Sequence, residues 1–170
     1  AALRQGEGPL IVAVDGRCAA GKTTFARRAG ELFDCNVFHM DDFFLPFEKR
    51  TPERLAAPGG NVDYERAGEE LFGPLSRGEA LAHRAFDCST GTMGDPVGIP
   101  FQRLNIVEGS YALHPALAGY SQLHLFFTCS PEVQLERLGR REEPESLENF
   151  REKWIPLEEA YFSGLSIETQ

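Results

Sequence analysis

The segment Gly16-Arg17-Cys18-Ala19-Ala20-Gly21-Lys22-Thr23 has the spacing of a phosphate-binding loop, G-x-x-x-x-G-K-[ST]. Glycine at both ends lets the backbone wrap closely, so that successive N–H groups point at phosphate oxygens. A lysine in this position reaches the β- and γ-phosphates of a nucleoside triphosphate, and a threonine hydroxyl after it is a ligand for Mg²⁺. We therefore predict that the phosphates of a nucleoside triphosphate bind to Gly16, Ala19, Ala20, Gly21, Lys22, Thr23 and Thr24, and that Thr23 contacts Mg²⁺. The alternative is a Gly/Ala-rich turn that matches the pattern by chance.

Two carboxylates follow apolar runs elsewhere in the chain: Asp41 after residues 36–40, and Glu108 after residues 104–107. In a parallel sheet, ligands gather at the carboxyl ends of the strands, where both side chains and the phosphate loop would meet. A carboxylate at Asp41 would accept the proton of an attacking hydroxyl during phosphoryl transfer. Glu108 would hold Mg²⁺ through water or orient the acceptor. The ordinary alternatives are a turn cap for Asp41 and a solvated strand end for Glu108.

Three arginines, Arg137, Arg140 and Arg141, lie within about one turn of each other on a predicted helix. In that position they would close over the triphosphate and neutralise charge that develops in the transition state. The alternative is a charge cluster at a helix C-terminus, favoured by the helix dipole and by salt bridges with neighbouring glutamates.

Two further residues are candidates for contact with the acceptor. Asp63 would accept hydrogen bonds from vicinal hydroxyls, and Phe86 would stack on a ring of the acceptor. Each also has an ordinary interpretation, because Asp63 has the position of a helix N-cap and Phe86 that of a core aromatic.

Strands and helices alternate in the way that these positions require. Apolar runs predict strands at residues 10–14, 36–40, 104–107 and 123–128, with a short strand or hairpin at 83–87. Helical periodicity or capping signals predict helices at 23–33, after Asp63, at 130–141 and at 147–162. Residues 45–61 hold three prolines and two glycines and predict a long substrate loop or lid. The fold class is α/β: a parallel sheet with helices on both faces, as in the three-layer P-loop NTPases.

Size and charge narrow the class of protein. A chain of 170 residues suits one domain over residues 1–170, with the loop at 45–61 and an arginine-rich lid at 137–145. A net charge of −9 argues against a nucleic-acid partner. No apolar run is long enough to span a bilayer, and the four cysteines are too far apart to form a C-x-x-C pair, so we expect a cytoplasmic protein with reduced thiols.

The chain ends without the apolar strand that usually follows such a helix, and we expect the natural chain to extend further. Homo-oligomerisation cannot be deduced from the sequence.

Several of these segments resemble one group of kinases. Val12-Ala13-Val14-Asp15-Gly16, Asp41-Asp42-Phe43-Phe44 and Ile106-Val107-Glu108-Gly109 are similar to the uridine kinase, nicotinamide riboside kinase and phosphoribulokinase group, especially to small bacterial uridine kinase-like proteins. The resemblance implies ATP and Mg²⁺ as cofactors, Asp41 as base and Glu108 as the strand-end acid. It also implies that Asp63 of Asn61-Val62-Asp63 binds ribose hydroxyls and that Arg137–Arg141 form the lid. Uridine kinases carry an aromatic-x-aromatic-x-x-His segment, of which 86–91 keep only Phe86.

The leading hypothesis is an ATP-dependent kinase that phosphorylates a hydroxyl of a nucleoside or related sugar-like metabolite. A kinase for another acceptor, such as pantothenate or a sugar phosphate, is an alternative. A GTPase-type switch has support only from Asp95-Pro96-Val97-Gly98, which matches D-x-x-G but follows turn residues rather than a strand. A nucleotide-binding module without catalysis is disfavoured by the carboxylate at Asp41.

Overall fold

A computed structural model describes residues 8–169. The first half of the chain contains β1 (Leu10–Gly16), α1 (Lys22–Leu32), β2 (Cys35–His39), α2 (Pro52–Ala56), α3 (Tyr64–Ala67) and α4 (Gly73–Arg77). The turns Met40–Phe43 and Phe47–Lys49 are 3₁₀-helical, and the π-helical segment Gly68–Phe72 joins α3 to α4.

The second half begins with four short strands, β3 (Leu81–His83), β4 (Phe86–Asp87), β5 (Thr92–Met93) and β6 (Val97–Ile99). It continues with β7 (Leu104–Glu108), α5 (Pro115–Ala118), β8 (Leu123–Phe127), α6 (Pro131–Arg141), α7 (Pro144–Asn149) and α8 (Ile155–Gly164). The π-helical segment Phe150–Trp154 joins α7 to α8, and a 3₁₀ turn at Ile167–Thr169 follows.

The central sheet has four parallel strands in the order β2-β7-β1-β8. Alternate residues of β1 enter different cores because side chains on a strand point to opposite faces. Ile11 and Ala13 join a core with the helices at 64–77 and α8, whereas Val12 and Val14 pack with Ala26 of α1 on the other face. The predicted parallel sheet with helices on both faces is confirmed.

Residues 45–61, predicted as a long loop, contain a short helix instead of continuous irregular chain. Thr51 caps α2 by accepting a hydrogen bond from the Arg54 amide (3.2 Å), and Pro52 occupies the first turn. This Thr-Pro pair is a helix-start signal that the interpretation of the segment as a loop missed. The Arg54 guanidinium then donates to the carbonyls of Gly60 and Val62, so the segment is tied to the fold.

The other predicted elements are present with shifted ends. The region 83–87 contributes to two separate antiparallel pairs, β3 with β6 and β4 with β5. The last helix runs from Pro144 to Gly164 in three segments rather than over 147–162. Within residues 8–169, all four cysteines are free and no helix is long and apolar enough to cross a membrane.

Candidate functional site

The loop between β1 and α1 has the backbone of an anion-binding turn. Gly16 has φ +130°, and a Cβ there would lie only 1.9 Å from the Phe127 carbonyl oxygen of β8, so only glycine fits. Ala19 (φ +58°) and Gly21 (φ +106°) also adopt left-handed backbone. Because α1 begins at Lys22, directly after this turn, the free N–H groups and the positive end of the helix dipole lie at the same place.

Lys22 and Thr23 point from the start of α1 toward the strand ends. The buried Lys22 ammonium donates to the carbonyls of Gly16 (2.5 Å) and Arg17 (3.0 Å) at the mouth of the loop. The Thr23 hydroxyl donates to Oε1 of Glu108, at 3.0 Å. A cation and a hydroxyl are therefore positioned on one side of the loop, as binding of a phosphate chain with Mg²⁺ requires.

Glu108 ends β7 between the loop and β2. Its side chain is buried, and its Oε1 also lies 2.5 Å from Nδ1 of His39, whose pKa it raises. Mg²⁺ commonly takes one or two protein oxygens and completes its shell with phosphates and water. The hydroxyl of Thr23 and the carboxylate of Glu108 fit this donor set. Residues 8–169 contain no cluster of three or more His, Cys, Asp or Glu side chains that could hold a metal without the phosphates.

Asp41 lies in the 3₁₀ turn that follows β2, with its side chain open to the cleft. Within the described chain, its carboxylate accepts no hydrogen bond. Its pKa is raised, first because surrounding protein removes part of its water shell and second because Glu108 is negative nearby, while Lys22 and His39 act in the opposite direction. A carboxylate with a raised pKa and no hydrogen-bond donor of its own is available to accept a proton, and the role of Asp41 as a base stays a prediction.

These groups line a single pocket of about 450 Å³. The pocket brings together the predicted residues Ala19, Gly21, Lys22, Thr23, Thr24, Asp41, Glu108, Arg137 and Arg141. Gly16 and Ala20 belong to the same loop but do not line the pocket. The phosphate loop and the predicted base thus share one cleft.

The three arginines that were predicted to form a lid have different surroundings. Arg137 donates to the carbonyl of Ala19 in the phosphate loop (3.0 Å), and Arg141 also lines the pocket. Arg140 is 76% exposed and pairs with Glu136, one turn earlier on α6, at 2.5 Å. The alternative interpretation, a salt bridge on a helix surface, therefore describes Arg140, which pairs with its i−4 neighbour and does not line the pocket.

Asp63 and Phe86 lie outside the pocket. Asp63 is fully buried, caps α3 by accepting from the Arg66 amide (3.2 Å), and pairs with the Lys49 ammonium (2.9 Å). Phe86 is 5% exposed and packs edge-to-face on Phe47 with ring centroids 5.9 Å apart. The structure thus gives both residues the ordinary roles of helix cap and core aromatic, and their contact with an acceptor stays a prediction.

Aromatic and C-terminal residues that the sequence analysis did not single out complete the pocket. Phe44, Phe150 and Trp154 form an aromatic wall, and Phe44 and Trp154 have ring centroids 5.8 Å apart. Ser110, Tyr111 and Glu158 line the pocket next to Glu108 and Lys22. Trp154 and Glu158 lie on helical turns far from any motif, and no sequence pattern placed them at the pocket.

A buried carboxylate directly before the loop was also missed. Asp15 accepts hydrogen bonds from the amides of Gly16 (2.6 Å), Tyr111 (3.1 Å) and Leu113 (2.9 Å) and from the Tyr161 hydroxyl (2.8 Å). Complete burial raises its pKa to about 6 against these donors. A charged residue inside an apolar strand was the available signal, and its bonds tie β1 to the turn after β7 and to α8.

Neither a protein-family model nor a curated protein matches the chain. Two solved structures whose own assignments are provisional match over 94% of it. One, a uridine kinase from Bacillus stearothermophilus, is 20% identical with a TM-score of 0.68 over 84% of its length. The other, a fructose transport system kinase from Silicibacter sp. TM1040, is 18% identical with a TM-score of 0.73 over 87% of its length. The resemblance seen in the sequence is thus confirmed for the fold: this chain has the α/β fold of the P-loop kinases.

Proposed function

We propose that this protein is an ATP-dependent kinase that transfers the γ-phosphoryl group to a hydroxyl of a nucleoside or related sugar-like metabolite. The observation that carries the proposal is the shared pocket, which is lined by Lys22, Thr23, Glu108 and Asp41 together. A loop that only bound nucleotide would not need a base beside the phosphates. The fold common to two structures assigned as kinases supports the same reaction class.

In this mechanism the loop amides and Lys22 bind the triphosphate; Thr23 and Glu108 would hold Mg²⁺, which would supply positive charge to neutralise the phosphates. Asp41 orients the acceptor hydroxyl and takes its proton while the acceptor oxygen bonds to the γ-phosphorus and the bond to the leaving ADP oxygen breaks. Arg137 offsets charge on the transferring group from the lid. The raised pKa of Asp41 brings the base closer to the working pH, which favours proton acceptance.

The GTPase alternative has less support. Asp95-Pro96-Val97-Gly98 enters β6, which pairs with β3 in a small antiparallel sheet, and none of these residues lines the pocket. A switch of that class requires this motif beside the γ-phosphate. A kinase for a non-nucleoside acceptor remains the second candidate, because the chain lacks the base-reading histidine and because one structural neighbour is assigned to fructose transport.

The test is an ADP-release screen with ATP and Mg²⁺ over nucleosides, nicotinamide riboside, pantothenate, sugars and sugar phosphates, with GTP as an alternative donor. We expect acceptor-dependent ADP release with ATP that is abolished in Lys22→Ala. Acceptor-independent hydrolysis of GTP in preference to ATP would instead support the switch.

We further propose that the partner is a small molecule rather than a nucleic acid or membrane, and that the protein works in the cytoplasm, where ATP is made and used.

A further inference from the structure

A carboxylate from the C-terminal helix already contacts the phosphate loop. Glu158 of α8 is 6% exposed, and its Oε2 accepts a hydrogen bond from the Cys18 amide at 3.0 Å. Its Oε1 accepts from the Ser110 hydroxyl at 2.6 Å. The side chain also lines the pocket shared by Lys22 and Asp41. One backbone donor of the anion-binding turn is therefore taken by a side chain of the protein itself.

The loop cations do not neutralise this carboxylate directly. The Lys22 ammonium bonds to the carbonyls of Gly16 and Arg17 and reaches Glu158 only through Ser110, whose hydroxyl lies 3.5 Å away. The Arg17 side chain points to the other side of α8, where it pairs with Glu159 (2.6 Å) and Glu168 (2.7 Å). Negative charge at Glu158 therefore faces the space that a phosphate chain would enter.

The negative charge of Glu158 also affects the thiol of Cys18. Burial and, next, the negative charge of Glu158 raise the pKa of its thiol to about 12, so Glu158 opposes a second negative charge placed beside it. A phosphate oxygen approaching the same amide meets the same carboxylate.

We propose that Glu158 sets the affinity of the phosphate loop for polyphosphates, by competing for the Cys18 amide and by repelling anionic ligands, so that the spent nucleotide is released. The inference rests on the proposed function in one respect only: it requires the loop to bind phosphates. A loop with the Cys18 amide free and no opposing charge would hold ADP more tightly.

The decisive variant is Glu158→Gln, which removes the charge and preserves both contacts. The amide oxygen of glutamine accepts from Cys18, and its nitrogen donates to the Ser110 oxygen, since a hydroxyl both donates and accepts. We expect calorimetric titration to give about tenfold tighter binding of ADP and of inorganic tripolyphosphate than in the unchanged protein. A merely structural role would leave affinity unchanged or weaken it.

Glu159→Gln is the matched control, because it removes the same charge one residue away on the side that faces Arg17, which keeps Glu168. We expect its ADP affinity to stay within about twofold of the unchanged protein. The inference is overturned if Glu158→Gln binds both probes equally or more weakly, or if Glu159→Gln tightens binding as much. If no acceptor is phosphorylated but Glu158→Gln still tightens tripolyphosphate binding selectively, the proposed kinase function fails while this inference stands.

Discussion

Lys22, Asp41 and Glu108 reach the pocket from the region where β1, β2 and β7 end, whereas Arg137 and Glu158 reach it from the C-terminal helices. On the strand side, backbone register decides the geometry. Glu108 pairs in register with Val14 of β1 and with His39 of β2, so the residues after these strands must lie together. On the helical side, individual side-chain contacts decide it, such as that of Arg137 with the loop carbonyl of Ala19.

The difference suggests that the strand side and the helical side of the pocket have different roles. A hydrogen-bonded sheet is a rigid support, and reacting groups that must be aligned closely benefit from it. Helices joined by short connections and held by side-chain contacts can adjust around a ligand, which suits groups that bind and release phosphate.

Asp41→Asn should remove the base while leaving the strand ends in place. We expect turnover to fall by about 10²–10⁴-fold with ATP affinity nearly unchanged, because an amide cannot accept the proton but retains the shape. A coupled ADP-release assay and calorimetric titration measure the two quantities.

Asp42→Asn is the control for Asp41→Asn, because the neighbouring carboxylate lies 2.8 Å from Nε2 of His83 and does not line the pocket. We expect its loss of turnover to be smaller by at least about tenfold. Equal losses in the two variants would show that the turn, rather than the Asp41 carboxylate, supports the reaction.

Arg137→Ala and Arg140→Ala test the helical side. Arg137 reaches the phosphate loop and Arg140 is exposed on Glu136, so we expect kcat/KM to fall by about 10²-fold in the first variant and by less than about twofold in the second. Steady-state kinetics with saturating acceptor measures both. A larger loss of kcat/KM in Arg140→Ala than in Arg137→Ala would mean that α6 rearranges around bound nucleotide.

The raised pKa of Asp41 predicts the acid side of the pH–rate profile. The base works only when ionised, so kcat/KM should fall about tenfold per pH unit below that pKa and stay level above it. Because partial loss of water and the charge of Glu108 raise the pKa, the fall should begin at a higher pH than for an ordinary aspartate. An acid limb at or below the usual aspartate range would contradict the assignment.

Tyr161→Phe tests the connection between the strand side and the helical side of the pocket. The Tyr161 hydroxyl of α8 donates a hydrogen bond to the buried carboxylate of Asp15 at the end of β1. We expect the free energy of unfolding at pH 8 to fall by about 1.5–3 kcal/mol, the usual contribution of a hydrogen bond to a charged group. Urea denaturation measures it, with Tyr120→Phe as control because the Tyr120 ring keeps its packing on Phe72.

The same variant has a pH signature. Asp15 titrates near pH 6 in the folded protein and at about 4 when unfolded, so its ionised form costs stability that increases as the pH rises through this window. The Tyr161 hydroxyl lowers this pKa and so reduces the cost. The loss caused by Tyr161→Phe should therefore be larger at pH 8 than at pH 5. A loss that does not depend on pH would show that the ring, rather than its hydrogen bond to Asp15, is what matters.

Most of the strand side could be predicted from sequence. The loop pattern around Lys22 is fixed by glycine conformations and by spacing, and both are local. Asp41 and Glu108 follow apolar runs, and parallel pairing of those runs forces their ends to one edge of the sheet. The fold class follows from the same alternation of strands and helices, because each element must bury its apolar face against a neighbour.

The contacts on the helical side of the pocket could be determined only from the tertiary structure. Arg137, Arg140 and Arg141 are equivalent in the sequence, and the reach of Arg137 to Ala19 and the salt bridge of Arg140 with Glu136 separate them. No pattern in α8 distinguishes Glu158 from its neighbour, yet packing of the helix sends one carboxylate into the phosphate loop and the other to Arg17. The physical reason is sequence distance: backbone conformation and strand direction depend on neighbouring residues, whereas the contacts of Arg137, Glu158 and Glu159 with the phosphate loop join residues more than a hundred positions apart.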